Sequence, residues 1–217
     1  MRSFRYLLFD LDGTLTDSRE GIMNCFQHTA RVMGAVMPEN PDCLLGPPLD
    51  LSFVKYFGMD KAQAEIAVKT YRERYGREGL FENRVYDGVP EMLSELKNFG
   101  FKLGVATCKA QVFAVRILEK FGLAQYFDVI GGAGTDGKRT SKSEVIEYAL
   151  EEMGNPDKAL VLMIGDRDND VAGARESGLQ CMGVLWGYGS QEELAGAGAD
   201  YIAETPQKAA ELLISEC

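Results

Sequence analysis

Four groups of polar residues carry the chemical interest of this chain: Asp10-Leu11-Asp12-Gly13-Thr14, then Thr107, then Lys142, then Gly165-Asp166 with Asp170. Asp10 and Asp12 are two apart, so on an extended chain both carboxylates project to one side. Two such charges about 4 Å apart repel by about 4 kcal/mol at an effective dielectric near 20, and the pair needs a cation, a proton or both. The other reading of Asp-x-Asp-Gly is a pair of turn-capping side chains. The unbroken apolar run Tyr6-Leu7-Leu8-Phe9 just ahead favours the site. Asp166 and Asp170 lie i, i+4 across an expected helix start and can face the same crevice. Hard carboxylate oxygens without a nearby His or Cys select a hard ion. Mg²⁺, held by two or three carboxylates plus water, fits best; calcium would want more oxygens.

The remaining groups suit an anion. Thr107, with the main-chain N–H groups of Cys108 and Lys109 read as a helix N-terminus, offers donors to phosphate oxygens, and Lys142 adds a point charge. A carboxylate attacking a phosphate dianion meets a repulsion of about 4 kcal/mol per charge pair at 4 Å, which the metal and the lysine would offset. Asp10 then becomes the nucleophile. Asp12, off the line of attack, would protonate the leaving oxygen and later deprotonate water. His28, the single histidine, falls in a helix away from these groups, which disfavours a Ser-His-Asp hydrolase.

These residues must be held by particular elements. Tyr6–Phe9, apolar without alternation, reads as a strand buried on both faces, the kind found inside a parallel sheet. Residues 20 to 36 follow helical spacing through Ile22, Met23, Phe26, Ala30, Val32 and Met33. A Pro- and Gly-containing loop fills 37 to 49, and helices follow near Leu51 and from Lys61 to about Arg77 through Ala62, Ile66, Ala67, Tyr71 and Tyr75. Met23, Phe26 and Met33 read as core of this helical block. Beyond residue 84 strand and helix alternate. Strands are expected at 101–106, 127–132, 159–164, 181–186 and 200–203, with helices at 91–99, 110–122, 142–153, 190–196 and 206–216. A further helix after Asp166 closes at Gly178. The pattern predicts a doubly wound parallel α/β sheet, Rossmann-like, formed by 1–15 and 85–217, with an α-helical cap inserted at 16–84.

Composition narrows the partners. The chain has 217 residues and a formal net charge of -10. Its Lys and Arg residues are scattered, so no nucleic-acid polymer is expected. The five cysteines, Cys25, Cys43, Cys108, Cys181 and Cys217, are odd in number and without a C-x-x-C pair. That argues against disulfides and zinc and for a cytoplasmic protein. Arg2 and Arg5 before an apolar run mimic a signal peptide only weakly, because Asp10 and Asp12 interrupt the run, and no membrane span is expected.

In order and spacing, Asp10-x-Asp12-Gly13-Thr14, Thr107, Lys142 and Gly165-Asp166-x-x-x-Asp170 resemble the haloacid dehalogenase superfamily of phosphatases. The inserted block resembles the helical C1-type cap of its phosphoglycolate phosphatase-like members. Arg139 to Ile146 and Gly187-Tyr188-Gly189-Ser190 look closest to the 5'-nucleotidase-like or phosphoglycolate phosphatase members. The resemblance implies a Mg²⁺-dependent phosphatase acting on a small phosphate monoester, phosphoglycolate or a nucleoside 5'-monophosphate, through an aspartyl-phosphate. It implies Asp10 as nucleophile, Asp12 as acid/base, and Thr107, Cys108 and Lys142 on the phosphoryl group. Asp10, the main-chain carbonyl of Asp12, Asp166 and Asp170 would hold the metal, Asp170 directly or through water. Cys108 departs from the Asn or Ser of many relatives and offers a poorer side-chain donor. Lys138 competes with Lys142 for the phosphate; Lys142 is preferred because it opens a helix.

Substrate choice falls to the cap, where Arg19, Glu20 and Arg72 are candidates, Arg72 against the alternative of a plain exposed arginine. Asp17 is expected to order the turn after Thr16, and Trp186 to pack at a strand end or stack on a base. A phosphomutase of the β-phosphoglucomutase kind shares the aspartyl-phosphate, and a non-catalytic phosphate-binding module shares the fold. The costly carboxylate pair argues against the second, and Asp12 argues against dehalogenase chemistry. A monomer or homodimer is expected.

Overall fold

The structure, a computed structural model, describes residues 4–134 and 139–215. Contacts divide it into two units, Met1–Asp17 with Val85–Cys217, and Ser18–Arg84. The chain leaves the first unit just after the two-residue strand β2 (Thr16–Asp17) and returns at β3 (Arg84–Val85).

The first unit is a six-stranded sheet. Its strands are β1 (Tyr6–Phe9), β4 (Lys102–Ala110), β5 (Val129–Ala133), β6 (Val161–Gly165), β7 (Gln180–Val184) and β8 (Tyr201–Ala203). They lie in the order β5-β4-β1-β6-β7-β8, and every neighbouring pair is parallel. The first strand in sequence is thus central, and its unalternating apolar run follows from that position: Leu7, Leu8 and Phe9 have no exposed surface. Phe9 stands opposite Val105 on one side and Ile164 on the other. The C-terminal ends of β1 and β6 are therefore level, and β4 runs past them beyond Val105, which brings Asp10, Asp166 and Thr107 to one edge.

Helices flank the sheet: α4 (Val89–Phe99), α5 (Gln111–Lys120), α6 (Lys142–Glu152), α7 (Asp168–Glu176), α8 (Gln191–Ala197) and α9 (Pro206–Ser215). One core joins Leu8, Ala106, Val161 and Met163 of the sheet to Val145, Ile146 and Ala149 of α6, Val171 and Ala174 of α7 and Leu194 of α8. Each fully buried valine, leucine, isoleucine or methionine side chain there contributes about 1.5–3 kcal/mol.

The second unit is helical: α1 (Arg19–Met33), α2 (Leu49–Phe57) and α3 (Lys61–Arg74), followed by a π-helical turn at Tyr75–Gly79. Phe26 is its centre, fully buried, with ring centroids 5.2 Å from Phe53, 5.9 Å from Phe57 and 4.9 Å from Tyr71. Asp60 and Gln63 form a reciprocal capping box that fixes the start of α3. Arg74 grips Glu82 through two hydrogen bonds of 2.9 Å.

Some sequence expectations are corrected. Val32 is 58% and Ile66 57% exposed, so although both fit a helical period they flank the buried stripe rather than belong to it. Met23 and Met33 are only half-buried beside the fully buried Phe26. Strand β4 does not stop at Thr107. It runs to Ala110 with a register break between Thr107 and Ala110, and α5 begins at Gln111. Trp186 lies in a bend two residues beyond β7 rather than at its end.

Candidate active site

Lys142 is the hub of the polar cluster. Ser141 caps α6: its hydroxyl accepts from the Glu144 N–H, while the Glu144 carboxylate accepts from the N–H groups of Ser141 and Thr140. This box places Lys142 at the first helical position. Its side chain is buried, with Nζ 2.8 Å from Asp10 Oδ1, 2.7 Å from Asp170 Oδ1, and donating to the Ala106 carbonyl at 3.1 Å. Burial alone would lower the lysine pKa, but Asp10 and Asp170 outweigh it and hold the ammonium well above its ordinary value. Gly173 on α7 makes room, since a Cβ there would collide with the Lys142 side chain.

Asp10, directly after β1, donates its N–H to the Ile164 carbonyl at 2.9 Å, which ties the turn to β6. Asp166, after β6, is fully buried and held at both oxygens. The Thr14 hydroxyl donates to Oδ1 at 3.1 Å and the Tyr188 N–H to Oδ2 at 2.8 Å. Gly13, at φ +87°, is required here because any side chain would drive into the Asp166 carboxylate. Asp170 accepts the Arg167 N–H at 3.0 Å at the start of α7.

Asp10, Asp166 and Asp170 each offer an oxygen, and these lie within 4.8 Å of one another. Burial first, then the neighbouring carboxylates Asp170 and Asp10, push the Asp166 carboxyl well above its ordinary value. Burial likewise pushes Asp170 up, with Lys142 opposing. One lysine does not balance three buried carboxylates. An all-oxygen, hard, anionic donor set of this size fits a divalent cation such as Mg²⁺.

Asp12 does not join that cluster. Its Oδ2 lies 2.9 Å from Lys109 Nζ, and the Lys109 side chain is buried. Each member of the acidic pair therefore has its own lysine, so a metal is not the sole counter-charge that the pair's spacing required. Thr107 is buried, and its Oγ1 accepts the Lys109 N–H at 3.2 Å. With β4 continuing to Ala110, Cys108 and Lys109 do not open a helix, and the Lys109 N–H is already engaged by Thr107. Burial, with Asp10 and Asp170 adding to it and Lys142 opposing, pushes the Cys108 thiol up to about 11.

Other residues lie elsewhere. Arg19, which pairs with Asp42, and the exposed Glu20 and Arg72 all belong to the helical unit. His28 lies on α1, 3.4 Å from Arg31. Lys138 falls outside the described residues. Asp17 accepts from the Tyr188 hydroxyl at 3.2 Å, and the Trp186 indole N–H donates to the Thr14 carbonyl at 2.9 Å. Sequence reasoning missed Lys109 as a side chain, the Thr14 hydroxyl and the Tyr188 N–H. The signal available was Gly187-Tyr188-Gly189, whose glycines leave no side chain between this loop and Asp166.

Comparison with known proteins bears on the family. The family model described as haloacid dehalogenase-like hydrolase matches residues 7–184. A 5'-nucleotidase of Pseudomonas aeruginosa is 45% identical over 190 residues, 87% of this chain and 86% of that protein. The tyrosine-protein kinase PtkA of Mycobacterium tuberculosis is 40% identical over 92% of this chain, which spans 65% of that longer protein. The solved structure of a predicted phosphatase from Clostridium acetobutylicum is 44% identical with a TM-score of 0.92, covering 98% of this chain and 99% of that one.

Proposed function

This chain belongs to the haloacid dehalogenase-like hydrolases, and from that membership we propose that it is a Mg²⁺-dependent phosphatase of small phosphate monoesters, working through an aspartyl-phosphate on Asp10. The observation that carries the reading is Lys142 Nζ, 2.8 Å from Asp10 and 2.7 Å from Asp170, within a cluster that includes Asp166 at the C-terminal edge of the parallel sheet. The metal would be held by Asp10, Asp166 and Asp170 with the Asp12 main-chain carbonyl. When bound it supplies positive charge that offsets the repulsion between a phosphate dianion and Asp10.

The chain's own groups account for the steps. Lys142, Thr107 and the Cys108 N–H hold the phosphoryl oxygens. An Asp10 oxygen attacks phosphorus, the bond from phosphorus to the ester oxygen breaks, and Asp12 gives that oxygen its proton. Water then attacks the phosphorus of the aspartyl-phosphate, Asp12 takes its proton, and Asp10 and inorganic phosphate are released. These residues treat every monoester alike, so we assign substrate choice to the helical unit, with Arg19, Glu20 and Arg72 as its candidates. The 5'-nucleotidase relative supports a nucleoside 5'-monophosphate, and the sequence resemblance supports phosphoglycolate. Cys25, Cys43, Cys108 and Cys181 are free thiols, which supports a cytoplasmic setting, and no described helix is long and apolar enough to cross a membrane.

The test is phosphate release from nucleoside monophosphates, phosphoglycolate, sugar phosphates and pyrophosphate, with Mg²⁺ and with chelator, for wild type and Asp10→Asn. Mg²⁺-dependent release is expected, with the variant below about 1% of wild type because the covalent step is gone. Release that ignores chelation, or a variant that keeps wild-type turnover, would refute it.

A further inference from the structure

We propose that Lys109 is a positioning residue for Asp12, the general acid and base; this rests on the hydrolase reading above. A lysine side chain only 8% exposed must find a partner, and Lys109 Nζ finds Asp12 Oδ2 at 2.9 Å. Its own placement is fixed from three directions. It sits on β4, the direct neighbour of the strand that delivers Asp12. It falls in the segment where the β4 register breaks between Thr107 and Ala110, an irregularity of the kind that re-aims a side chain. Its N–H is bound to Thr107 Oγ1 at 3.2 Å. The cation is thus held before it meets the carboxylate.

The two Asp12 oxygens are not equivalent. Oδ2 is gripped by Lys109, whereas Oδ1 is buried and receives no hydrogen bond among the described residues. A carboxylate has two side-chain torsions, and a single fixed contact at one oxygen stops it rotating and aims the other. The contact therefore fixes the plane in which the Asp12 carboxylate meets the leaving group and then water, and Lys109 keeps it turned that way. Lys142 has a different task, since its neighbours are Asp10 and Asp170 rather than Asp12.

A residue acting through Asp12 matters in proportion to how much the leaving group needs a proton. General acid catalysis contributes about 10²–10⁴-fold, and loss of aim forfeits part of that, about 10–100-fold. The experiment measures kcat/KM for Lys109→Met, Asp12→Asn and wild type on an alkyl phosphate and on p-nitrophenyl phosphate, whose leaving group departs without protonation. Lys109→Met should lose about 10–100-fold on the alkyl ester and less than about threefold on the aryl ester, in the same direction as Asp12→Asn. Lys109→Gln gives the same comparison if the methionine variant does not fold. Equal losses on both esters in an active enzyme would make Lys109 a phosphate-binding or structural cation, and would overturn its role while leaving the hydrolase reading intact. A wild type that releases no phosphate from either ester overturns both readings.

Discussion

Replacing Lys142 by methionine tests the charge balance on which the site is built. At 2.7–2.8 Å and an effective dielectric of about 20, each ion pair of Lys142 is worth about 6 kcal/mol of gross attraction, much of it cancelled by the cost of burying the charges. Removing one partner of a buried pair leaves that cost uncompensated, about 3–5 kcal/mol. Methionine keeps the stem and so adds little cavity cost. Lys142→Met should therefore lose about 3–5 kcal/mol in urea unfolding at neutral pH in chelator, and lose phosphate release as well. The discriminating arm is a double-mutant cycle with Asp170→Asn. That substitution removes one of the two carboxylates Lys142 pairs with and leaves it Asp10, so on its own it should change stability by less than about 1 kcal/mol. In the lysine-less background it should restore about 2 kcal/mol or more. A single variant as stable as wild type, or losses that simply add, would refute the claim that these carboxylates depend on Lys142.

Three further outcomes are expected. Phe26→Ala removes the ring shared by Phe53, Phe57 and Tyr71 and should destabilise the helical unit by about 3–5 kcal/mol, read as faster hydrogen exchange confined to residues 18–84; a loss below about 1 kcal/mol would contradict it. The Arg74 hydrogen bonds, followed by its charge, hold the Glu82 carboxyl below its ordinary 4.5 against the opposing effect of burial. Because the folded pKa is depressed, the pair's contribution, about 1–2 kcal/mol, is fully present above pH 4.5 and lost as pH falls through the folded value. Glu82→Gln should thus be less stable than wild type at pH 7, with the difference closing in acid, and a gap that persists unchanged to acid pH would count against it. Replacing Arg72 or Glu20 should reorder the substrate panel while sparing p-nitrophenyl phosphate; a uniform loss across the panel would make both residues structural.

The fold class was legible because a parallel sheet writes itself as apolar runs ending in polar residues, as Tyr6–Phe9 and Val161–Gly165 do. The convergence of Asp10, Asp166, Asp170 and Lys142 followed from placing those runs in one sheet. Lys109 was not legible, since Thr107-Cys108-Lys109-Ala110 looks like any exit from a strand. Its meaning lies in a contact with Asp12, 97 positions away in the sequence. The reading of Cys108 and Lys109 as a helix N-terminus failed for a related reason: a register irregularity leaves no compositional mark, so a helix end was expected where the strand continues. Val32 and Ile66 show the limit of periodicity, which gives a helical phase but not the width of the buried stripe.

The central place of β1 between β4 and β6 has a consequence for synthesis. The first strand made is the one whose neighbours come late: the second, β6, is complete only at Gly165, about three-quarters of the way along the chain. Until then Tyr6–Phe9 cannot be covered on both edges, and contacts of such long sequence separation form slowly. An emerging chain therefore presents an apolar segment to aggregation or to a chaperone, and its acidic cluster stays incomplete, because Asp166 and Asp170 follow the strand that completes the pairing of β1.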